Sequence, residues 1–246
     1  MAQRSKSPQA PKAGAVKKTA PRRSAESGGG PFVVGVGASA GGLQALQTFF
    51  GALNESVNAA FVVIQHLSPD FKSFMVELLT KHTRMKVQRA DHHARVEPGN
   101  IYLIPPKVTL TISGGRLQLE KTDPRRGLHL PIDQFFISLA LDQQHRAVAI
   151  VLSGTGSDGT AGIRAVKASG GMVMVQSEDS AQFDGMPRSA IATGLADFVL
   201  APDKMPAQLA SYLNHPLLTH VRTLGRRRGP EVDRALAEIF ASIRSQ

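Results

Sequence analysis

The chain contains no cysteine and no tryptophan in 246 residues, and only two tyrosines. Without cysteine there is no disulfide, no thiolate nucleophile and no cysteine-ligated zinc. No stretch approaches the roughly 18 consecutive apolar residues that a membrane-spanning helix needs. The first residues are charged and polar and lack the apolar core of a secretory signal, so a cytoplasmic protein is expected. Acidic residues are also scarce, 19 against 29 Lys and Arg, for a net charge of +10. That excess is unevenly placed. Residues 1–30 carry seven basic side chains against Glu26 alone (+6), residues 214–246 carry six arginines against Glu231, Asp233 and Glu238 (+3), and only +1 is left for residues 31–213. A core that held nucleic acid through its phosphates would itself be basic on one face, so nucleic acid is not expected as its ligand.

What is present is a tripartite chain. Residues 1–30, rich in Ala, Ser, Pro, Gly and Lys, have no apolar periodicity and read as a disordered basic tail. From Pro31 to Leu213 short apolar runs alternate with helical patterns. Strands are expected at Phe32–Val36, Ala59–Gln65, Asn100–Ile104, Ala147–Leu152, Met172–Gln176 and Asp197–Leu200, with a hairpin over Thr109–Glu120 turning at Ser113-Gly114-Gly115-Arg116. Helices are expected at Leu43–Leu53, at 71–82 with Phe71, Phe74, Met75, Leu78 and Leu79 on one face, and at Ile132–Asp142, Ala161–Ser169, Ser189–Thr193 and Pro206–Leu213. Continuous apolar strands alternating with helices predict an α/β fold with a doubly wound, mostly parallel sheet, flanking helices and a β-hairpin insertion. Residues 214–246, with Arg226-Arg227-Arg228 and a short amphipathic stretch at 231–243, read as a peripheral basic and helical extension.

Open parallel sheets take their ligands at the carboxyl ends of the strands. Three loops at that edge carry conspicuous polar residues: Gly37-Ala38-Ser39-Ala40-Gly41-Gly42, Gln65-His66-Leu67-Ser68-Pro69, and Ser153-Gly154-Thr155-Gly156-Ser157-Asp158-Gly159. A serine, a histidine and an aspartate thus converge from three strands. The first loop fits a G-x-S-x-G elbow, whose small neighbours expose the hydroxyl where a strand turns into a helix. It also opens like a dinucleotide fingerprint at Gly35-Val36-Gly37. The later spacing departs from that pattern, and the second strand ends in Gln65-His66 rather than in the acidic residue a dinucleotide ribose wants. A lone histidine would read as structural, but His66 at a strand end beside the serine's loop is a candidate base. Asp158 reads either as the residue orienting His66 or as a cap for the helix beginning near Thr160, and the two roles can coexist. His92-His93 beside Asp91 is the one cluster suggestive of metal, but neighbouring residues of a strand point to opposite faces, and no metal is expected.

These segments, with Val96-Glu97-Pro98-Gly99-Asn100-Ile101-Tyr102 and Phe183-Asp184-Gly185-Met186-Pro187-Arg188, resemble in sequence and order the catalytic domain of bacterial chemoreceptor methylesterases. The resemblance spans residues 32 to about 213. It implies hydrolysis of glutamate methyl esters on the cytoplasmic helices of methylated chemoreceptors, with deamidation of receptor glutamines as a companion activity and no cofactor. A chemotaxis kinase or a separate regulator is an implied further partner. By motif, Ser39, His66 and Asp158 fall on the family's triad. The backbone N–H groups of Ala40 and of the Thr155 loop are implied as the oxyanion hole, and Met186 and Arg188 as part of the substrate cleft, although Arg188 also reads as a helix-end surface arginine. Ala40, Thr155 and Ser157 stand where the family often has threonine, methionine and asparagine, which bears on substrate preference. Gly127-Leu128-His129-Leu130-Pro131-Ile132-Asp133 resembles the variant fused to a receptor methyltransferase. The thirty N-terminal residues are too few for the receiver domain that many members carry. A small-ester hydrolase outside chemotaxis and a catalytically quiet receptor- or kinase-binding module are the competing readings.

Overall fold

The computed structural model describes residues 31–53, 57–66, 74–122 and 129–215. The basic tail, Leu67-Ser68-Pro69, residues 71–73, Gly127-Leu128 and the extension past 215 lie outside the described residues. The elements run β1 (Phe32–Ala38), α1 (Gly42–Ala52), β2 (Ala59–Gln65), α2 (Met75–Thr80), β3 (Lys86–Arg89), β4 (Asn100–Leu103), β5 (Val108–Ser113), β6 (Arg116–Lys121), α3 (Pro131–Gln143), β7 (Ala147–Val151), α4 (Thr160–Ala168), β8 (Met172–Gln176), α5 (Gly185–Ile191), β9 (Phe198–Leu200) and α6 (Met205–Leu213).

Seven strands form one sheet in the order β3-β4-β2-β1-β7-β8-β9, and every pairing in it is parallel. The chain winds outward from β1 to one side, then returns to its other side at β7, so β1 lies beside the topological switch point, where such sheets open a crevice. All seven residues of β1 are buried, as expected of a strand covered on both faces. One face buries Val34 and Val36 under Leu46, Phe49 and Phe50 of α1, Leu79 of α2 and Leu209 of α6. The opposite face buries Val33 and Val62 under Phe135, Phe136 and Leu139 of α3 and Ile163 of α4. Truncating a fully buried phenylalanine in such layers costs about 3–5 kcal/mol.

The hairpin β5–β6 is a separate two-stranded sheet packed on α3. Its turn uses positive φ at Gly114 and Gly115, and Asp142 of α3 accepts both of their N–H groups. That anchor ties the insertion to the helix that borders the site.

Three local expectations are corrected. β3 was not expected: it shows no apolar run, with Lys86 and Arg89 exposed, and it forms by pairing at the sheet edge with β4. Phe74, expected on the buried face of the second helix, is 63% exposed because the helix begins after it and turns Met75 and Leu79 inward. α5 begins at Gly185 rather than near Ser189, since Met186 and Pro187 are already in its buried first turn.

Candidate active site

β1 delivers Ser39 and β2 delivers His66 from adjacent parallel strands. Their register pairs Ala38 with Gln65, so the next residue of each strand emerges side by side at the carboxyl edge. After Ser39 the chain turns through Gly41, whose φ of 69° lies in the left-handed region, directly into α1. β7 lies on the other side of β1, and the Ser39 N–H donates to the Ser153 carbonyl at 3.0 Å.

The Ser39 hydroxyl lies 3.1 Å from His66 Nδ1, and His66 Nε2 lies 2.8 Å from Asp158 Oδ2. Asp158 is buried, with its side chain 2% exposed, whereas that of His66 is 35% exposed. Both carboxylate oxygens already accept backbone donors: Ile132 N–H to Oδ2 at 3.1 Å and Asp133 N–H to Oδ1 at 2.9 Å. An oxygen so engaged faces the imidazole as an acceptor, which places the ring proton on Nε2 and leaves Nδ1 free to accept from the Ser39 hydroxyl. The three predicted residues are therefore brought together, in a relay running Oγ–H to Nδ1 and Nε2–H to carboxylate.

Asp158 is also a cap, but not of the helix that follows it. Ile132 and Asp133 lie in the first turn of α3, after Pro131, which has no N–H to satisfy. The N-terminus of α4 is served instead by Asp133, whose Oδ1 accepts the Gly162 N–H at 2.7 Å. Local sequence could not show this exchange, because each carboxylate caps the other residue's helix. Burial pushes the Asp133 carboxyl above its ordinary range. The N–H groups it accepts, Gly162's first, oppose that shift, and the negative charge of Asp158 adds to it.

Ser153, quoted in the loop motif but given no role by sequence reasoning, proves central. Its hydroxyl donates to the Ala40 carbonyl at 2.9 Å and accepts the Phe183 N–H at 3.0 Å, while its own N–H donates to the buried Gln176 side chain at 2.8 Å. Gly154 completes the link, donating to the Phe183 carbonyl and accepting from Met186 N–H. The loop after β7, the loop before α5 and the turn at Ser39 are thus one hydrogen-bonded unit. The N–H groups of Ala40 and Thr155 donate to no described residue and are available to a developing oxyanion. Met186 is fully buried against Gly154. Arg188 is exposed and ion-paired with Glu178 at 3.1 Å and with Asp184; the Glu178 hydrogen bond, then the Asp184 charge, hold its proton more firmly. His92 accepts the Leu119 N–H through Nδ1, a structural use.

A polar cleft of about 420 Å³, lined by Gly41, Gln44, Thr48, Ser153, Asp179 and Gln182 among others, opens on the far side of the Ser39 turn. Ser39, His66 and Asp158 do not line that cleft, and Ser39 itself is half-buried. Phe183, 42% exposed, lies on the loop bonded to Ser153 and Gly154. No helix among the described residues is long and apolar enough to cross a membrane.

Comparison with known proteins gives a consistent result. The model of the CheB methylesterase family matches residues 34–209. The crystal structure of the Thermotoga maritima CheB methylesterase catalytic domain aligns with a TM-score of 0.67 at 30% identity, covering 74% of this chain and 98% of that one. Protein-glutamate methylesterase/protein-glutamine glutaminase 1 of Myxococcus xanthus is 35% identical over 183 residues, which are 73% of this chain and 53% of the relative. An uncharacterized 104.1 kDa protein of Rhodobacter capsulatus is 48% identical over 139 residues, 56% of this chain and 14% of that protein. The chain spans about half the length of the curated methylesterases it matches.

Proposed function

Because this chain belongs to the CheB methylesterase family, we propose that it is a serine hydrolase that removes methyl groups from esterified glutamate side chains of chemoreceptor helices. The observation that carries this is the relay from Ser39 Oγ through His66 to Asp158, with contacts of 3.1 and 2.8 Å. His66 Nδ1 takes the hydroxyl proton as Ser39 Oγ attacks the ester carbonyl. The Nε2–H stays on the imidazole, and Asp158 stabilises the imidazolium. The tetrahedral oxyanion is met by the Ala40 N–H at the head of α1 and by an N–H of the Thr155 loop. The Nδ1 proton passes to the leaving oxygen, and methanol departs. Water, deprotonated by the same nitrogen, then attacks the acyl-serine, and the products are the free glutamate and regenerated Ser39. A glutamine carboxamide would follow the same path with ammonia as leaving group, which fits the second activity in the relatives' names.

A protein substrate is supported by the exposed Phe183, which offers apolar contact from the loop bonded to Ser153 and Gly154. The test is methanol release from methylated receptor by wild type and by Ser39→Ala. Release by wild type alone is expected. Equal release by both would refute Ser39 as nucleophile, and hydrolysis of small esters with none on receptor would move the protein outside chemotaxis.

A further inference from the structure

Asp133 touches neither Ser39 nor His66, yet it is 7% exposed and sits at the join of the two helix ends that hold Asp158. Its backbone N–H donates to Asp158 Oδ1 at 2.9 Å, while its side-chain Oδ1 accepts the Gly162 N–H in the first turn of α4 at 2.7 Å. Asp158 lies two residues before α4 and reaches back to the first turn of α3. The two carboxylates therefore cross, each neutralising the other helix's free N–H groups and favourable end of its dipole.

The approach that makes this crossing possible is built into the packing. A side chain at Gly162 would overlap Phe136 of α3, so the two helices meet more closely here than larger residues would allow. The loop carrying Asp158 is fixed at its start by Ser153 and Gly154 and in its middle by the Ser189 hydroxyl, which donates to the Gly156 carbonyl at 3.2 Å, while Thr155, Gly156 and Ser157 are exposed and Gly156 and Gly159 have positive φ. Past Gly156 the chain runs directly into α4, so the orientation of the Asp158 carboxylate follows the placement of that helix against the α3 N–H groups it accepts.

We propose that Asp133 is a positioning residue for the hydrolysis, fastening the start of α4 to the start of α3 so that the Asp158 carboxylate stays aligned on His66 Nε2. This rests on the reading in which Asp158 orients His66. Asp133 is buried with its charge beside another carboxylate, an arrangement that is costly unless both are hydrogen-bonded, and here each one is. It acts on the rate of the chemical step through Asp158 and not on substrate contact.

The test is a double-mutant cycle on the whole chain, with kcat and KM measured on methylated receptor for Asp133→Ala, Asp158→Ala and the double variant, beside Asp133→Asn. Asp133→Ala is expected to lower kcat about 10- to 100-fold with KM unchanged, the scale of a misplacement near 1 Å at a reacting group. The double variant is expected to be no slower than Asp158→Ala alone, because a residue acting only through Asp158 has nothing left to position. Asp133→Asn keeps an acceptor for Gly162 and is expected to recover most of the loss. The proton NMR signal of His66 Nε2–H, shifted downfield by Asp158, should disappear in Asp133→Ala and persist in Asp133→Asn. Should Asp133→Ala fail to fold, Asp133→Asn carries the cycle, with a loss of roughly threefold in kcat expected and none beyond it in combination with Asp158→Ala. Wild-type kcat in the Asp133 variants, or losses that multiply in the double variant, overturn the proposal while leaving the relay intact. Wild-type turnover in Asp158→Ala overturns the relay and this proposal together.

Discussion

Gly154 faces Ser39 so closely that a Cβ on the glycine would lie 2.9 Å from the Ser39 Cβ, and it would also overlap the Met186 sulfur. The conformation at Gly154 is not a left-handed one, so the glycine answers to space alone. Gly154→Ala must therefore push either the serine turn or α5 outward. The expected outcome is a stability loss of about 1–3 kcal/mol, typical of overpacking. Turnover should fall about 100-fold because the hydroxyl leaves His66. Urea melts and ester hydrolysis check both, and wild-type turnover would show that Met186 alone gives way.

Removing the three relay residues should have unequal effects. Ser39→Ala and His66→Ala are each expected to cost about 10⁵- to 10⁶-fold in kcat with the fold unchanged, and Asp158→Ala about 10⁴-fold. Asp158 alone of the three should also lower stability, by about 1–3 kcal/mol, since its loss leaves the buried Ile132 and Asp133 N–H groups unpaired. The discriminating measurement is the denaturant midpoint of the three variants side by side. Equal midpoints would mean that the α3 cap contributes nothing.

Asp133 sets a dependence of stability on pH. Its pKa in the folded chain is raised above 3.8, chiefly by burial, so the folded state binds more protons than the unfolded state between the two values. The group's contribution is then fully present below the unfolded pKa and is lost as pH rises through the folded one. Asp133→Asn cannot titrate. The stability of wild type relative to that variant should therefore increase as pH falls from 7 toward about 4. Urea melts at three pH values across that interval test it, and a constant difference would contradict a raised carboxyl.

Ser153→Ala should harm activity without touching the relay. The substitution removes the donor to the Ala40 carbonyl and the acceptor for Phe183 N–H, leaving two polar groups unpaired at a cost of about 1–3 kcal/mol. Ala40, whose N–H is proposed to meet the oxyanion, loses the tether on its carbonyl, one peptide unit further along. A fall in kcat of roughly tenfold or more is expected, consistent with partial loss of one oxyanion donor. Unchanged kcat together with the lower stability would assign Ser153 to folding alone.

The strands β1, β2, β7 and β8 were legible because each is a continuous apolar run, and the loops that follow β1, β2 and β7 announced Ser39, His66 and Asp158 by their position at one sheet edge. The hairpin was legible from Gly114-Gly115, since two positive φ angles in a row call for glycine. β3 was not, because an edge strand with two exposed ends carries no run to read. The crossed caps were not, because Asp158 precedes α4 by the spacing of an ordinary local cap, and only the packing of α3 on α4 diverts it to another helix. Ser153 and Gln176 were invisible as partners for the same reason: their bonds join segments far apart in the chain.

The position of β1 at the centre of the sheet has a consequence for synthesis. Its partner β2 follows soon after it, but its second edge waits for β7, which is made only after β3, β4, the hairpin and α3. At roughly 5–20 residues per second, the ribosome leaves that valine-rich edge open for several seconds or more. An unpaired apolar strand edge is a template for intermolecular pairing. Chains that stall before Ala147 should therefore be claimed by chaperones or aggregate, whereas those that stall after β8 should stay soluble. The same order delays the site: the carbonyl of Ser153 that holds the Ser39 amide arrives with β7, and the carboxylate for His66 arrives later still, so no half-made chain has a complete Ser39–His66–Asp158 relay.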